Sequence, residues 1–188
     1  GHVLGLDDYY SYDGLDDEPL GKLDMMDNNV GDHNAYTKYL LNWIDPILIE
    51  EEGEYTITSL TNDGINALLI PADLEHFSYS PFSEYLLIEL YTPTGLNELD
   101  SKNRYMGVER SIPYHFSKTG VKVLHVDSRL VVTDDVAKTY FYTNVFNDTL
   151  ERASKIQFVG ANINSSYSIN PDFSLINLIS SSEGRNVF

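Results

Sequence analysis

The sequence contains no cysteine. Disulfides, thiolate metal sites and cysteine nucleophiles are therefore excluded. Basic residues are scarce: 12 Lys and Arg stand against 29 Asp and Glu, and the formal net charge is −17. A chain so poor in cations has no footing for the phosphate contacts that nucleic acid or an anionic membrane surface requires. No apolar run approaches the roughly 20 residues needed to span a bilayer as a helix. A G-x-S-x-G nucleophile elbow is missing as well, and no internal repeat or low-complexity tract occurs.

What is present is globular. The 188 residues are 42% hydrophobic and 12% aromatic, with 14 Tyr and 8 Phe, a composition that favours strands and turns. A chain of this size buries on the order of 70% of its unfolded surface. The expected fold is α+β, predominantly antiparallel β with one clear helix over about residues 32–44. Tyr36, Tyr39, Leu40 and Trp43 recur on one helical face, Asp32 is placed to cap it, and Asp45-Pro46 ends it.

After this helix the period changes to that of strands. Ile47–Glu50 is a short apolar run. The stretches 54–60 and 66–70 flank Asn62-Asp63-Gly64 and predict an antiparallel hairpin. Tyr85–Tyr91 and Val121–Val126 are near-continuous apolar runs, predicting strands buried on both faces. Glu89 within the first of them must find a partner or an edge. Between them, 92–119 reads as loops. Leu130–Val132 and Ala137–Phe146 suggest strands about an Asp134-Asp135 turn, Ala153–Val159 a last pairing strand, and Phe173–Ile179 a strand or short helix.

Chemistry concentrates at the amino terminus. His2, Gly5 and Asp8 have the spacing of the second half of the zinc-protease pattern H-E-x-x-H-x-x-G-x-x-H/D. In that pattern two histidines four apart on a helix grip zinc, and the Glu between them is the general base. The glycine leaves the helix in a left-handed turn, which brings the residue three further on back to the metal. On these eight residues alone, a helix C-cap followed by an acidic loop fits equally. Met26, with Asp24 two before it, resembles the methionine turn beneath the metal of metzincins; two core methionines are the alternative.

The succession H-V-L-G-L-D-D-Y-Y, L-D-M-M-D and G-D-H-N-A-Y-T-K-Y-L-L-N-W resembles the immune inhibitor A-like secreted metalloproteases of bacteria. Glu84–Glu89, Gly120–Asp127 and Phe173–Ile179 resemble later strands of that family. The likeness spans most of the chain and is loose between 93 and 115. It implies a secreted or cell-surface zinc endopeptidase acting on protein or peptide substrates. His2 and Asp8 would be metal ligands and Met26 the floor. The first histidine and the Glu base lie before Gly1, so this chain alone is expected to be inactive and to hold zinc weakly. Residues 1–46 would be the remnant of the active-site lobe, and 47–188 the β-rich remainder of the catalytic domain. Removal of the active-site helix is expected to loosen, rearrange or cover the first ~30 residues and to allow self-association.

Asp13, Asp16, Asp17 and Glu18 crowd hard oxygen donors on one loop, a possible calcium site. Their spacing does not match the EF-hand pattern, and a solvated acidic loop is the simpler reading. A non-catalytic β-rich binding or structural module, calcium-stabilised, is the alternative function. His33 is expected to bond a helix terminus. His125, two before Asp127, reads as a hydrogen-bonded core histidine, and His76 and His115 lack ligand spacing.

Overall fold

The computed structural model describes residues 1–10, 19–21, 23–27, 29, 31–60, 63–102, 116–134, 139–143, 155–158, 162 and 174–179. It is an α+β fold, mainly β. A five-stranded sheet has the order β1-β2-β3-β4-β8, from Ile47–Leu48, Ala67–Pro71, Glu84–Tyr91, Gly120–Asp127 and Ile176–Leu178. β1 pairs parallel with β2; the other neighbours are antiparallel. A three-stranded sheet, β6-β5-β7, comprises Thr139–Thr143, Leu130–Asp134 and Lys155–Phe158. The helices are short: α1, Ala35–Leu40, and α2, Glu98–Lys102. Among the described residues no helix is long and apolar enough to cross a membrane.

Register explains the core. Pro71, Tyr85, Val126 and Ile176 lie in one row across the sheet, and Leu69, Leu87, Leu124 and Leu178 in the next. Each fully buried Leu of such a row contributes about 1.5–3 kcal/mol. Leu6, Tyr9, Leu20, Met26, Ala35 and Tyr36 pack on this face. A third row, Ala67-Glu89-Lys122, places two charges on the core side. Alternation along a strand puts Glu89 on the face of Tyr85 and Leu87.

Several expectations are corrected. The helix begins at Ala35, not Asp32, because Asn34 is the better cap: its Oδ1 accepts from Thr37 N at 3.0 Å. It ends early as well. Asn42 turns at φ 57°, leaving Trp43 53% exposed with its ring 6.1 Å from that of His33. The 54–60 hairpin arm is not a strand. Both edges of β2 are taken by β1 and β3, and this segment is tied instead by a bridge from Ser59 to Leu90, a bond from Thr58 N to Ile65 O at 2.7 Å and one from Asn66 Nδ2 to Ser59 O at 3.1 Å. β3 and β4 are not buried on both faces; exposure alternates along β3 and over most of β4. The 92–119 stretch contains α2 and a 3₁₀ turn, Gly95–Asn97. The described part of the first ~30 residues is packed into the core through Leu6, Tyr9, Leu20 and Met26, with Val3 and Leu4 exposed.

Candidate metal centre

His2–Leu4 form a single 3₁₀ turn, closed by bonds from Leu4 N to Gly1 O (2.8 Å) and Gly5 N to His2 O (2.9 Å). Gly5 ends it in the left-handed region, φ 80° and ψ 17°, a conformation that costs a residue with a Cβ about 1–2 kcal/mol. The reversal buries Leu6 and brings Asp8 back over the turn. His2 Nε2 then stands 3.3 Å from Asp8 Oδ1; the histidine side chain is 68% exposed and the aspartate 10%.

The other ring nitrogen sets the chemistry of this pair. His2 Nδ1 lies 2.9 Å from Leu6 O. A carbonyl oxygen only accepts, so Nδ1 carries the proton and, in the neutral ring, Nε2 presents its lone pair. With a proton on Nε2 the two groups form an ordinary ion pair; without it, a lone pair and a carboxylate face one another. Such a pair needs a proton or a cation between them. Two donors each about 2.0–2.1 Å from a tetrahedral zinc stand roughly 3.3 Å apart, so the separation fits a shared metal. The carbonyl behind Nδ1 is the kind of outer partner that orients metal-binding histidines.

The methionine segment adjoins the residues flanking this pair, Gly1 and Tyr9. The Met26 thioether packs against Gly1, where an added Cβ would meet Met26 Sδ, and Met26 is buried. Tyr9 N donates to Met26 O at 2.8 Å. The segment is held by Asp24, which is fully buried. One of its oxygens accepts from Met26 N at 2.6 Å; the other accepts from Asn34 N (2.6 Å) and Asn34 Nδ2 (2.8 Å). Burial raises the Asp24 carboxyl, and these donors oppose the rise. Burial likewise raises the hydroxyl of Tyr9, whose oxygen is 2.8 Å from Thr37 Oγ1 on α1. Helix α1 is itself moored to the sheet: Ala35 N donates to Glu89 Oε2 at 2.7 Å, and Glu89 is ion-paired with Lys122.

The fold therefore brings His2, Gly5, Asp8 and Met26 together. Among the described residues no group of three His, Asp or Glu is disposed around one metal position. Asp13, Asp16, Asp17 and Glu18 of the acidic loop, and His115, lie outside the described residues.

No protein-family model, curated protein or solved structure matches the chain.

The remaining histidines lie elsewhere. His125 is hydrogen-bonded, its Nε2 3.2 Å from Glu84 Oε1, but it is 40% exposed and so is not a core histidine. It belongs to the face of β4 away from the core, beside Arg129, which holds Asp127 with two bonds of 2.7 and 2.6 Å. His76 pairs with Asp73 in an exposed turn. His33 is buried, with Nδ1 unpartnered among the described residues; it lines a cavity of about 10 Å³ together with Asp32, Glu89, Asn97 and Lys122, about the size of one water. Sequence reasoning missed the Asp24 hub and the Tyr9–Thr37 tether. Their signals are weak: a lone Asp before two Met, and a Tyr twenty-eight positions from its partner.

Proposed function

We propose that this chain is part of a zinc-dependent endopeptidase of the secreted bacterial kind it resembles, hydrolysing peptide bonds, and that by itself it is inactive. His2 would supply its Nε2, since Nδ1 is engaged with Leu6 O. Asp8 supplies a carboxylate, Gly5 the bend between them, and Met26 the apolar floor. The missing histidine and the Glu base are assigned to polypeptide preceding Gly1. Zinc bound there would polarise the peptide carbonyl and acidify a water. Val3 and Leu4, both exposed, would then pack against the preceding segment, or against a second copy in its absence.

The observation that carries the reading is the 3.3 Å approach of His2 Nε2 and Asp8 Oδ1. The test is the protein produced with the residues that precede Gly1 in its gene. The reading expects His-Glu and one further residue immediately upstream, and chelator-sensitive peptide hydrolysis. A different upstream sequence, or a zinc-free protein without activity, would leave a non-catalytic β-rich module.

A further inference from the structure

Asp24 has more bonding capacity engaged than the metal reading requires of it. It is fully buried, and among the described residues its carboxyl meets Met26 N, Asn34 N and Asn34 Nδ2, all of them donors. Both oxygens therefore act as acceptors, and a carboxylate satisfies all of these donors without an O–H left to place. The two oxygens serve different elements: one the methionine turn, the other the capping residue of α1. Asp24 O additionally accepts from Asp27 N and Asn29 N, at 3.0 and 3.2 Å, closing the turn. Met26 in turn packs its thioether against Gly1, the residue before the histidine.

We propose that Asp24 is the positioning residue of the His2–Asp8 pair: by joining the Met26 main chain to Asn34, it fixes the floor on which Gly1 and His2 rest. The proposal deepens the metalloprotease reading and depends on it only for the metal. An amide in place of the carboxylate cannot serve both elements. If its oxygen faces Asn34, its NH₂ meets the Met26 N–H donor to donor; if it is flipped, the clash moves to Asn34. Asp24→Asn therefore keeps the volume and must release one side.

The experiment uses the 188-residue chain with ¹³C-methyl methionine and ¹⁵N histidine. Two signals are read: the Overhauser contact between the Met26 methyl and Gly1 Hα, and the His2 ring shift during titration with zinc chloride. In D24N the contact is lost and half-saturation moves to at least about tenfold higher zinc, the scale of losing an outer-shell partner. Ile176→Val, a buried truncation in β8, lowers stability but leaves both signals in place. Persistence of the Met26–Gly1 contact in folded D24N overturns the proposal whatever the zinc result. Loss of the contact with no zinc response even in the unmutated chain upholds the positioning role and removes the metal reading instead. Should D24N not fold, Asn34→Ser removes the Asn34 Nδ2 bond to Asp24 while its hydroxyl still caps Thr37 N; a weakened contact supports the proposal and an unchanged one overturns it.

Discussion

Glu89 and Lys122 stand opposite one another on β3 and β4, carboxylate to ammonium, with side chains only 1% and 9% exposed. The pair sits on a largely apolar face that also carries Leu, Tyr, Val, Ile, Ala and Pro side chains, and the lysine ammonium is also 5.8 Å from the centre of the Tyr91 ring. Glu89 has a second duty, since its Oε2 receives Ala35 N at the start of α1. Removing one partner leaves a buried, uncompensated charge, at a cost of about 3–5 kcal/mol. Lys122→Met is expected to destabilise the chain on that scale in urea unfolding followed by Trp43 fluorescence. Adding Glu89→Gln, which keeps an acceptor for Ala35, is expected to recover at least half of the loss. A double variant no more stable than the single would refute this account.

Gly5→Ala isolates the backbone at the bend. Nothing lies within 4 Å of an added Cβ, so sterics with neighbours are not at issue and the φ of 80° alone is strained. The expected loss is about 1–2 kcal/mol, with Gly5→Asn milder because Asn tolerates the left-handed region. Thermal unfolding checks this, and equal losses for the two variants would argue against it.

His33 makes stability depend on pH. Burial pushes its imidazole below the ordinary value of 6.5; Asp24 and Asp32 pull upward, while the amino terminus and Lys38 push down. Glu89 and Lys122 face it across the small cavity. With the folded pKa depressed, the unfolded chain binds the proton more readily. The contribution is thus present above 6.5 and is lost as pH falls through the folded value. His33→Gln is expected to flatten the stability–pH curve below pH 6.5. An unchanged slope would show that another group titrates.

In the protein carrying its native upstream residues, His2→Ala and Asp8→Ala are each expected to lower zinc affinity by more than the roughly 10–100-fold typical of an outer-shell change. Competition with a chromophoric chelator measures it. Retention of full affinity in either variant would remove that residue from the ligand set.

The sheet was largely legible from the chain. Runs such as Tyr85–Tyr91 and Val121–Val126 announce strands because long apolar stretches with β-branched and aromatic residues have few other stable uses. Their one-sided burial was not legible, since an apolar outer face looks the same in sequence as a covered one. The 54–60 arm misled because the alternation of Tyr55, Ile57 and Ser59 is a local signal, while β2's two edges are filled by partners distant in sequence. At the site, spacing pointed to His2, Gly5, Asp8 and Met26. The Asp24 clamp and the Tyr9–Thr37 contact join positions 10 and 28 apart, a distance over which a single sequence carries no pairing information.

Helix α1 touches both halves of the candidate centre: Thr37 reaches Tyr9, the neighbour of Asp8, and Asn34 reaches Asp24 and so the residue under Gly1. Six residues thus act as a common lever for two donors. Substitutions along the helix should shift imidazole and carboxylate in concert, and their effects on affinity should depart from additivity when combined with changes at either donor. Evolution or engineering can retune the His2–Asp8 pair from its rear without altering an atom of either side chain.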